Sequence, residues 1–215
     1  MAWTGERLIL ASSSAARQRL LAEAGLEFIV EPARIDEASI KARFGADRRS
    51  ACACALALAD AKARQVAADF PRGLIIGADQ ILVWGGKWFD KPANLAEARS
   101  QLQTLRGRTH QLVTAVCVVQ EQACIWQRET SASLTMREFS DIFLDTYLAA
   151  EGTTILESVG AYRFEGPGIQ LFVQVEGDYF LRFSGSRSWS CSASCGNAAH
   201  FFRSGVVCVA VENDV

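Results

Sequence analysis

Residues 10–21, with the sequence LASSSAARQRLL, constrain the fold of this chain more than any other segment. The apolar residues 8–10 predict a buried strand, and the leucines after the serines predict a helix packed by its inner face. Where a strand ends in small polar residues that begin a helix, free backbone N–H groups lie at the N-terminus of the helix, which is the positive end of its dipole. This geometry favours an anion such as phosphate, with further donors and charge from Ser12, Ser14, Arg17 and Arg19. The alternative is an ordinary helix whose N-cap uses one hydroxyl.

A second apolar run, residues 74–83, has a carboxylate within it. Asp79 lies in the segment Gly77-Ala78-Asp79-Gln80, between apolar residues on both sides. A carboxylate in such a run must be paired, bound to a metal or protonated, because burial of a bare charge is costly. Gly77 and Ala78 leave space for a ligand or another backbone. Other charged residues could be ordinary solvated surface charges or parts of the same site: Asp36, Glu37, Lys62, Asp90 and Lys91.

Taken in order, these segments resemble the Maf-type nucleoside triphosphate pyrophosphatase family. Residues 10–21 match the family pattern Leu-Ala-Ser-x-Ser-Pro-Arg-Arg-x-x-Leu-Leu except at two places. Ala15 stands where proline is usual, and Ala16 stands where arginine or tryptophan is usual. The other family motifs recur at Asp36-Glu37, at Lys62, at residues 77–80, at residues 90–92, at residues 105–114 and in the Gly-rich segment 160–168. The resemblance spans about residues 8–180, and an ordered set of motifs is highly specific.

The resemblance implies an α/β fold of the Maf/ITPase-like kind, with a mixed twisted sheet, flanking helices and two lobes around a central cleft. It implies hydrolysis of a nucleoside triphosphate to the monophosphate and pyrophosphate, which keeps non-standard nucleotides out of nucleic acids. Such a reaction needs positive charge around the phosphates and an activated water, which a divalent cation supplies, most simply Mg²⁺ with Mn²⁺ as the alternative. By resemblance Asp79 is the general base, with a metal-ligand role also open, and Glu37 and Asp79 are the candidate metal ligands. The implied substrate-binding residues are Ser12, Ser14, Arg17, Lys62 and Lys91.

Three positions are associated with base preference in this family, and here they are Ala16, Gln80 and Glu165. Gln80 and Glu165 resemble the branch that acts on 7-methyl-GTP rather than the branch that acts on dTTP and UTP. A carboxylate can accept hydrogen bonds from the N1–H and exocyclic amine of guanine, so the chemistry is compatible. Ala16 departs from both branches, which leaves the exact base open.

The overall composition fits a folded enzyme and argues against two kinds of partner. Half of the residues are hydrophobic and the formal net charge is −2, which disfavours a nucleic-acid-binding face. No apolar run reaches the roughly 20 residues of a membrane span, and we expect no signal peptide at the start of the chain. We therefore expect a cytoplasmic protein whose partner is its nucleotide substrate, with a homodimer left open. The first four of the seven cysteines lie in apolar patterns that predict buried thiols: Cys52, Cys54, Cys117 and Cys124.

Strands alternate with helices along the chain, which predicts an α/β domain with a mixed sheet. The predicted helices are residues 15–25, 50–68, 95–106 and 140–150. The predicted strands are residues 8–12, 27–31, 74–84, 87–89, 111–119, 123–136 and 169–175. Gly85-Gly86 is expected to form a hairpin turn rather than part of a P-loop. His110 is expected to be a core or turn residue.

Residues 1–180 are predicted to form the Maf-like domain, and residues 181–215 an atypical tail. The family continues into Leu-Gly-Leu-Pro-Leu and a closing helix, whereas residues 184–195 have no helical or strand period. With GC-rich codons assumed for residues 183–191, a one-base shift restores Leu-Gly-Leu-Pro-Leu-Leu-Glu-Leu, so we interpret the tail as frameshifted. We expect such a tail to be poorly ordered and the chain to be less stable than relatives with the usual end. The rival interpretation is a metal site formed by Cys191, Cys195, His200 and Cys208, whose spacings match no common zinc pattern.

Two other functions stay open at this point. One is a nucleotidase that releases orthophosphate, and the other is a non-catalytic regulator of cell division, since the family name is tied to inhibition of septum formation. The presence of Lys62, Asp79 and Lys91 favours an active enzyme. Release of pyrophosphate from a panel of nucleotides with Mg²⁺ discriminates among the three.

Overall fold

The computed structural model describes residues 7–45 and 48–177, which form a mixed α/β structure around one sheet. The strands are β1 (Leu8–Leu10), β2 (Ile29–Val30), β3 (Leu74–Trp84), β4 (Lys87–Phe89), β5 (Thr109–Gln120), β6 (Ala123–Met136) and β7 (Phe172–Gly177). The helices are α1 (Ala15–Glu23), α2 (Glu37–Lys41), α3 (Arg48–Ala67), α4 (Leu95–Leu105) and α5 (Asp141–Glu151). Between α5 and β7 the chain forms the 3₁₀ segments Gly152–Glu157, Val159–Ala161 and Pro167–Leu171. The predicted fold class is confirmed.

The order of the strands places a binding site at the end of β1. The order is β2-β1-β3-β5-β6-β7, and β4 pairs with β3. β1 is parallel to both β2 and β3, while the other pairs are antiparallel. The chain leaves β1 through α1 toward β2 on one side, and returns through α3 to β3 on the other side. Ligands of open α/β sheets bind where such connections diverge, beyond the carboxyl end of the strand.

One edge of β3 has a gap between its two partner strands. β1 pairs with residues 74–76 and β4 pairs with residues 82–84. On the opposite edge, β5 pairs with residues 75–83 without interruption. Among the described residues, no strand pairs with residues 77–81 on the gapped edge, and a cleft lined by Asp79 and Gln80 opens there.

Helix α3 packs closely on β3 because small residues meet at the contact. Its buried face includes Ala59 and Ala63, both with no exposed surface. A Cβ added at Gly77 of β3 would clash with the Ala59 carbonyl oxygen and lie 2.9 Å from the Ala63 Cβ. Glycine is therefore required at this crossing, and the close approach brings Lys62 of α3 to Asp79 of β3.

His110 lies in a hydrophobic core on the side of the sheet covered by α4, α5 and the 3₁₀ segments. The prediction that it is a core residue is confirmed. Its side chain is 1% exposed, and its Nε2 lies 2.9 Å from the Tyr162 hydroxyl. Burial lowers the pKa of His110 to about 4. The neutral imidazole therefore links β5 to the segment that follows Val159–Ala161.

Most predicted elements occur within a few residues of their predicted ends, and three predictions need correction. The strand predicted at 169–175 begins only at Phe172, because Pro167 starts a 3₁₀ turn. Helix α2 was not predicted; Asp36 caps it by accepting a hydrogen bond from the Ser39 N–H at 3.0 Å. Of the four cysteines expected to be buried, Cys54 and Cys117 are buried, while two remain partly exposed: Cys52 and Cys124.

Two further predictions have different outcomes. Gly85 and Gly86 have φ of +58° and +72° and turn the chain from β3 into β4, so the hairpin is confirmed. The frameshift and the rival metal site at Cys191, Cys195, His200 and Cys208 lie outside the described residues. Within residues 7–45 and 48–177, no helix is long and apolar enough to cross a membrane.

Candidate active site

The serines after β1 build the first turn of α1. The Ser14 Oγ caps the helix by accepting from the Arg17 N–H at 3.5 Å. The Ser12 Oγ accepts from the Ser14 N–H at 3.3 Å and from Arg17 Nη1 at 2.9 Å. Both hydroxyls therefore shape the turn, and Ser12 also orients the Arg17 side chain. Arg19 forms an exposed pair with Glu23 at 2.7 Å and is not among the residues that line the cleft, so its part in an anion site stays a prediction.

Arg17 spans the gap in the edge of β3. Its Nη1 also donates to the Ala78 carbonyl oxygen at 3.0 Å, and so satisfies a backbone acceptor that a neighbouring strand would otherwise use. Burial lowers the pKa of Arg17, while the charges of Asp79 and Glu37 act to raise it. The result is a cation held in one orientation at the cleft.

Lys62 joins the two carboxylates that the sequence pointed to. Its Nζ contacts Asp79 Oδ1 directly and lies 2.8 Å from Glu37 Oε1. Asp79 is 7% exposed, and this pairing is what its position in an apolar strand required. Burial acts to raise the pKa of Glu37, but the hydrogen bond and charge of Lys62 outweigh it with help from Lys41 and Lys91. The pKa of Glu37 therefore lies below its ordinary value.

A second ion pair joins α2 to the loop after β4. The Lys41 Nζ lies 2.6 Å from Asp90 Oδ1. Burial acts to lower the pKa of Lys41, but the hydrogen bond and charge of Asp90, together with the charges of Asp79 and Glu37, outweigh it, so the pKa lies above its ordinary value. Lys91 is exposed and lines the same cleft. Sequence reasoning missed Lys41, whose signal was its spacing of four residues from Glu37.

The three positions associated with base preference line the cleft as well. Gln80 Nε2 donates to Thr114 Oγ1 at 2.9 Å, and the two residues face each other in the register of β3 and β5. Glu165 Oε1 lies 3.6 Å from Arg163 Nε. Ala16 contributes only its methyl group. Thr114 and Arg163 also line the cleft, but the sequence had not singled them out.

The cleft has a volume of about 520 Å³, which suits a small-molecule ligand. Five basic residues and five acidic residues line it: Arg17, Lys41, Lys62, Lys91 and Arg163 with Glu37, Asp79, Asp90, Glu157 and Glu165. This arrangement can bind a polyanion and can offer carboxylate oxygens to a hard cation. No group of three or more His, Cys, Asp or Glu within the described ranges could hold a metal ion. A cation shared by Glu37 and Asp79 would thus need further ligands from a substrate or water.

The fold and the cleft define an α/β protein with a charged cleft beside the end of β1. The chain belongs to the Maf family, because the family model described as Maf-like protein matches residues 7–181. It is 47% identical over 174 residues to a nucleoside triphosphate pyrophosphatase of Granulibacter bethesdensis, which covers 81% of this chain and 88% of that protein. It is also 47% identical to a 7-methyl-GTP pyrophosphatase of Rhizobium johnstonii over 174 residues, which are 81% of this chain and 87% of that protein. A nucleoside triphosphate pyrophosphatase of Paramagnetospirillum magneticum is 47% identical over 172 residues, which are 80% of this chain and 89% of that protein.

Proposed function

We propose that this chain hydrolyses nucleoside triphosphates to the monophosphate and pyrophosphate. The observation that carries the proposal is the contact of Lys62 with both Asp79 and Glu37 in the cleft that Arg17 and Lys91 also line. Relatives at 47% identity that are named nucleoside triphosphate pyrophosphatase support it.

The basic residues hold the triphosphate in this proposal. The Lys62 ammonium has three N–H donors, of which Asp79 and Glu37 take two. The third is left for a phosphate oxygen. The Arg17 guanidinium makes both of its described side-chain contacts through Nη1, and its other N–H groups can bind phosphate. Ser12 and Ser14 place the start of α1 beside the phosphates.

A divalent cation, Mg²⁺ or Mn²⁺, is part of the proposal. Glu37 and Asp79 both contact one ammonium nitrogen, so their oxygens are close enough to share a cation, and carboxylate oxygens are ligands that Mg²⁺ prefers. These two residues would hold the ion together with phosphate oxygens and water. When bound, the ion polarises phosphate oxygens and lowers the pKa of a bound water.

Asp79 is the proposed general base. Its carboxylate takes a proton from the water that attacks the α-phosphorus, and the bond from that phosphorus to the bridging oxygen breaks. The pyrophosphate that leaves keeps the bonding electrons, and Arg17 and Lys91 stabilise its charge. The contact with Lys62 orients the Asp79 carboxylate before the attack.

The base is proposed to be guanine or a methylated guanine. Gln80 and Glu165 line the cleft and offer an amide and a carboxylate to a purine edge. The relative named 7-methyl-GTP pyrophosphatase supports this preference.

The test is an assay of pyrophosphate and orthophosphate release from GTP, 7-methyl-GTP, dTTP and UTP with Mg²⁺. We expect pyrophosphate as the product, the fastest turnover with 7-methyl-GTP, and loss of turnover when EDTA removes the metal. Orthophosphate as the sole product, or no release from any nucleotide, would overturn the proposed reaction. Turnover that survives EDTA would remove the metal from it.

A further inference from the structure

Residues 162–168, called here the base-wall loop, carry an arginine with two acidic neighbours. Arg163 Nη1 lies 3.9 Å from Glu151 Oε2, and Arg163 Nε lies 3.6 Å from Glu165 Oε1. Both distances exceed that of a good hydrogen bond. The guanidinium and the Glu165 carboxylate therefore keep hydrogen-bonding capacity for a ligand in the cleft that both residues line.

Glu151 explains why Arg163 stays in place. The Glu151 side chain at the end of α5 is 6% exposed, and its Oε2 has no hydrogen-bond partner in the part of the chain that the structure describes. A buried carboxylate without a cation is strongly destabilising, whereas apolar residues would fill such a site at no loss of stability. The Arg163 guanidinium is the cation that approaches this carboxylate, so attraction between the two charges keeps it near Glu151.

The base-wall loop is rigid on its other sides. A Cβ added at Gly168 would lie only 2.7 Å from the backbone nitrogen of Arg163, so the two ends of the loop pack closely against each other. The Tyr162 hydroxyl is held by buried His110 at 2.9 Å. The Phe164 ring stacks on Phe172 with 4.8 Å between centroids. Arg163 and Glu165 therefore present a donor and an acceptor at a fixed separation.

We propose that Arg163 and Glu165 together read the lactam edge of a base, which is a ring carbonyl next to a ring N–H. Arg163 donates to the carbonyl oxygen and Glu165 accepts from the N–H. Guanine, hypoxanthine and uracil all present this edge. Adenine and cytosine present the reverse, an amino donor next to a ring nitrogen without hydrogen. Their amino group would meet the Arg163 donor, and their ring nitrogen would meet the Glu165 acceptor. The inference rests on the proposed function and adds Arg163 as a specificity residue and Glu151 as its positioning residue.

The first experiment uses the unmodified protein and two matched substrate pairs, ITP with ATP and UTP with CTP. Within each pair the bases differ only at the edge in question. We expect kcat/KM to favour ITP and UTP by at least about tenfold, since a mismatch leaves buried polar groups unpaired. If the two kcat/KM values differ by less than threefold in both pairs, the inference is overturned.

The second experiment uses variants of the loop. Arg163→Met should reduce the ITP to ATP ratio about tenfold or more, mainly through a higher KM for ITP. Glu151→Gln should reduce it by a smaller factor, again in KM rather than kcat. The matched control is Arg99→Met, which removes an arginine that pairs with Asp145 of α5 outside the cleft, and it should leave the ratio at the parent value. A parent-like ratio in Arg163→Met would also overturn the inference.

A binding measurement separates this inference from the proposed reaction. The α,β-methylene analogues of ITP and ATP cannot release pyrophosphate, so calorimetric Kd values report base recognition alone. We expect the ITP analogue to bind at least about tenfold more tightly. Tighter binding of the ITP analogue without turnover of any nucleotide would reject the proposed reaction and support recognition of the lactam edge. Turnover with equal Kd values for the two analogues would support the reaction and reject recognition of the lactam edge. If Arg163→Met does not fold, Arg163→Gln repeats the comparison with a neutral donor and should show a smaller loss.

Discussion

At the scale of residues, the site depends on carboxylates whose charges are neutralised by one ammonium. Lys62 contacts Asp79 and Glu37 together, so removal of either acid leaves the other paired. A substitution at Asp79 therefore tests its chemical role without leaving Lys62 unpaired. Arg17 adds a second cation whose position is fixed by Ser12 and by the backbone of Ala78.

Asp79→Asn should lower pyrophosphate release by about 10²- to 10⁴-fold, because it removes the proposed base at nearly constant volume. The thermal unfolding midpoint and the far-UV circular dichroism spectrum should stay close to those of the parent. Asp60→Asn is the control, since it breaks an ion pair with Arg64 on the same helix as Lys62. Turnover in Asp79→Asn within twofold of the control would remove Asp79 from catalysis.

The sequence was sufficient for the residues that lie in short motifs. Ser12, Arg17, Lys62 and Asp79 were all predicted in the site, and all line one cleft. Lys41 and Arg163 were not predicted, and their ion-pair partners at positions 90 and 151 come from distant segments of the chain. Charge pairs of this kind become visible only when the fold brings the segments together.

At the scale of elements, length decided what could be predicted. The 20-residue α3 and the 11-residue β3 have long patterns, and their predicted bounds were nearly correct. The five-residue α2 is too short to show a period, and its local signals were the cap at Asp36 and the charges of Glu37 and Lys41 at its two ends. The turn at Pro167–Leu171 was hidden because its apolar residues also fit a strand.

Gly77→Ala should destabilise the packing of α3 on β3. The added methyl group would clash with the Ala59 carbonyl oxygen, and such overpacking typically costs ~1–3 kcal/mol. Gly85→Ala is a matched control: its φ is +58° and nothing lies within 4 Å of an added Cβ. It carries only the backbone strain of roughly 1 kcal/mol. Urea unfolding should give a larger loss for Gly77→Ala, and equal losses would contradict the tight contact.

At the scale of the whole molecule, stability should depend on pH through His110. Burial lowers its pKa to about 4 in the folded protein, against an ordinary value of 6.5. Between these values the unfolded chain binds a proton that the folded chain does not, so the free energy of unfolding falls as pH decreases. The contribution is complete above about pH 6.5, and roughly 2–3 kcal/mol should be lost by pH 4.5.

The measurement compares urea unfolding of the parent and of His110→Gln at pH 7 and pH 4.5. The variant lacks the titrating ring, so its loss of stability between the two pH values should be smaller by about that amount. All other titrating groups are common to both proteins and cancel in the difference. An equal pH dependence would show that the ring of His110 is not kept neutral by the fold.

The gap in the edge of β3 has a consequence for how such a molecule can change over generations. The residues proposed to bind the phosphates lie in the turn after β1, on α1, on α3 and in the loop after β4, whereas the base-wall loop follows α5 much later in the chain. The two sets meet across the gap, at Asp79 and Gln80. Selection can therefore alter the recognised nucleotide through a few codons for residues 162–168, together with those for Ala16 and Gln80, while the residues proposed for bond cleavage stay unchanged.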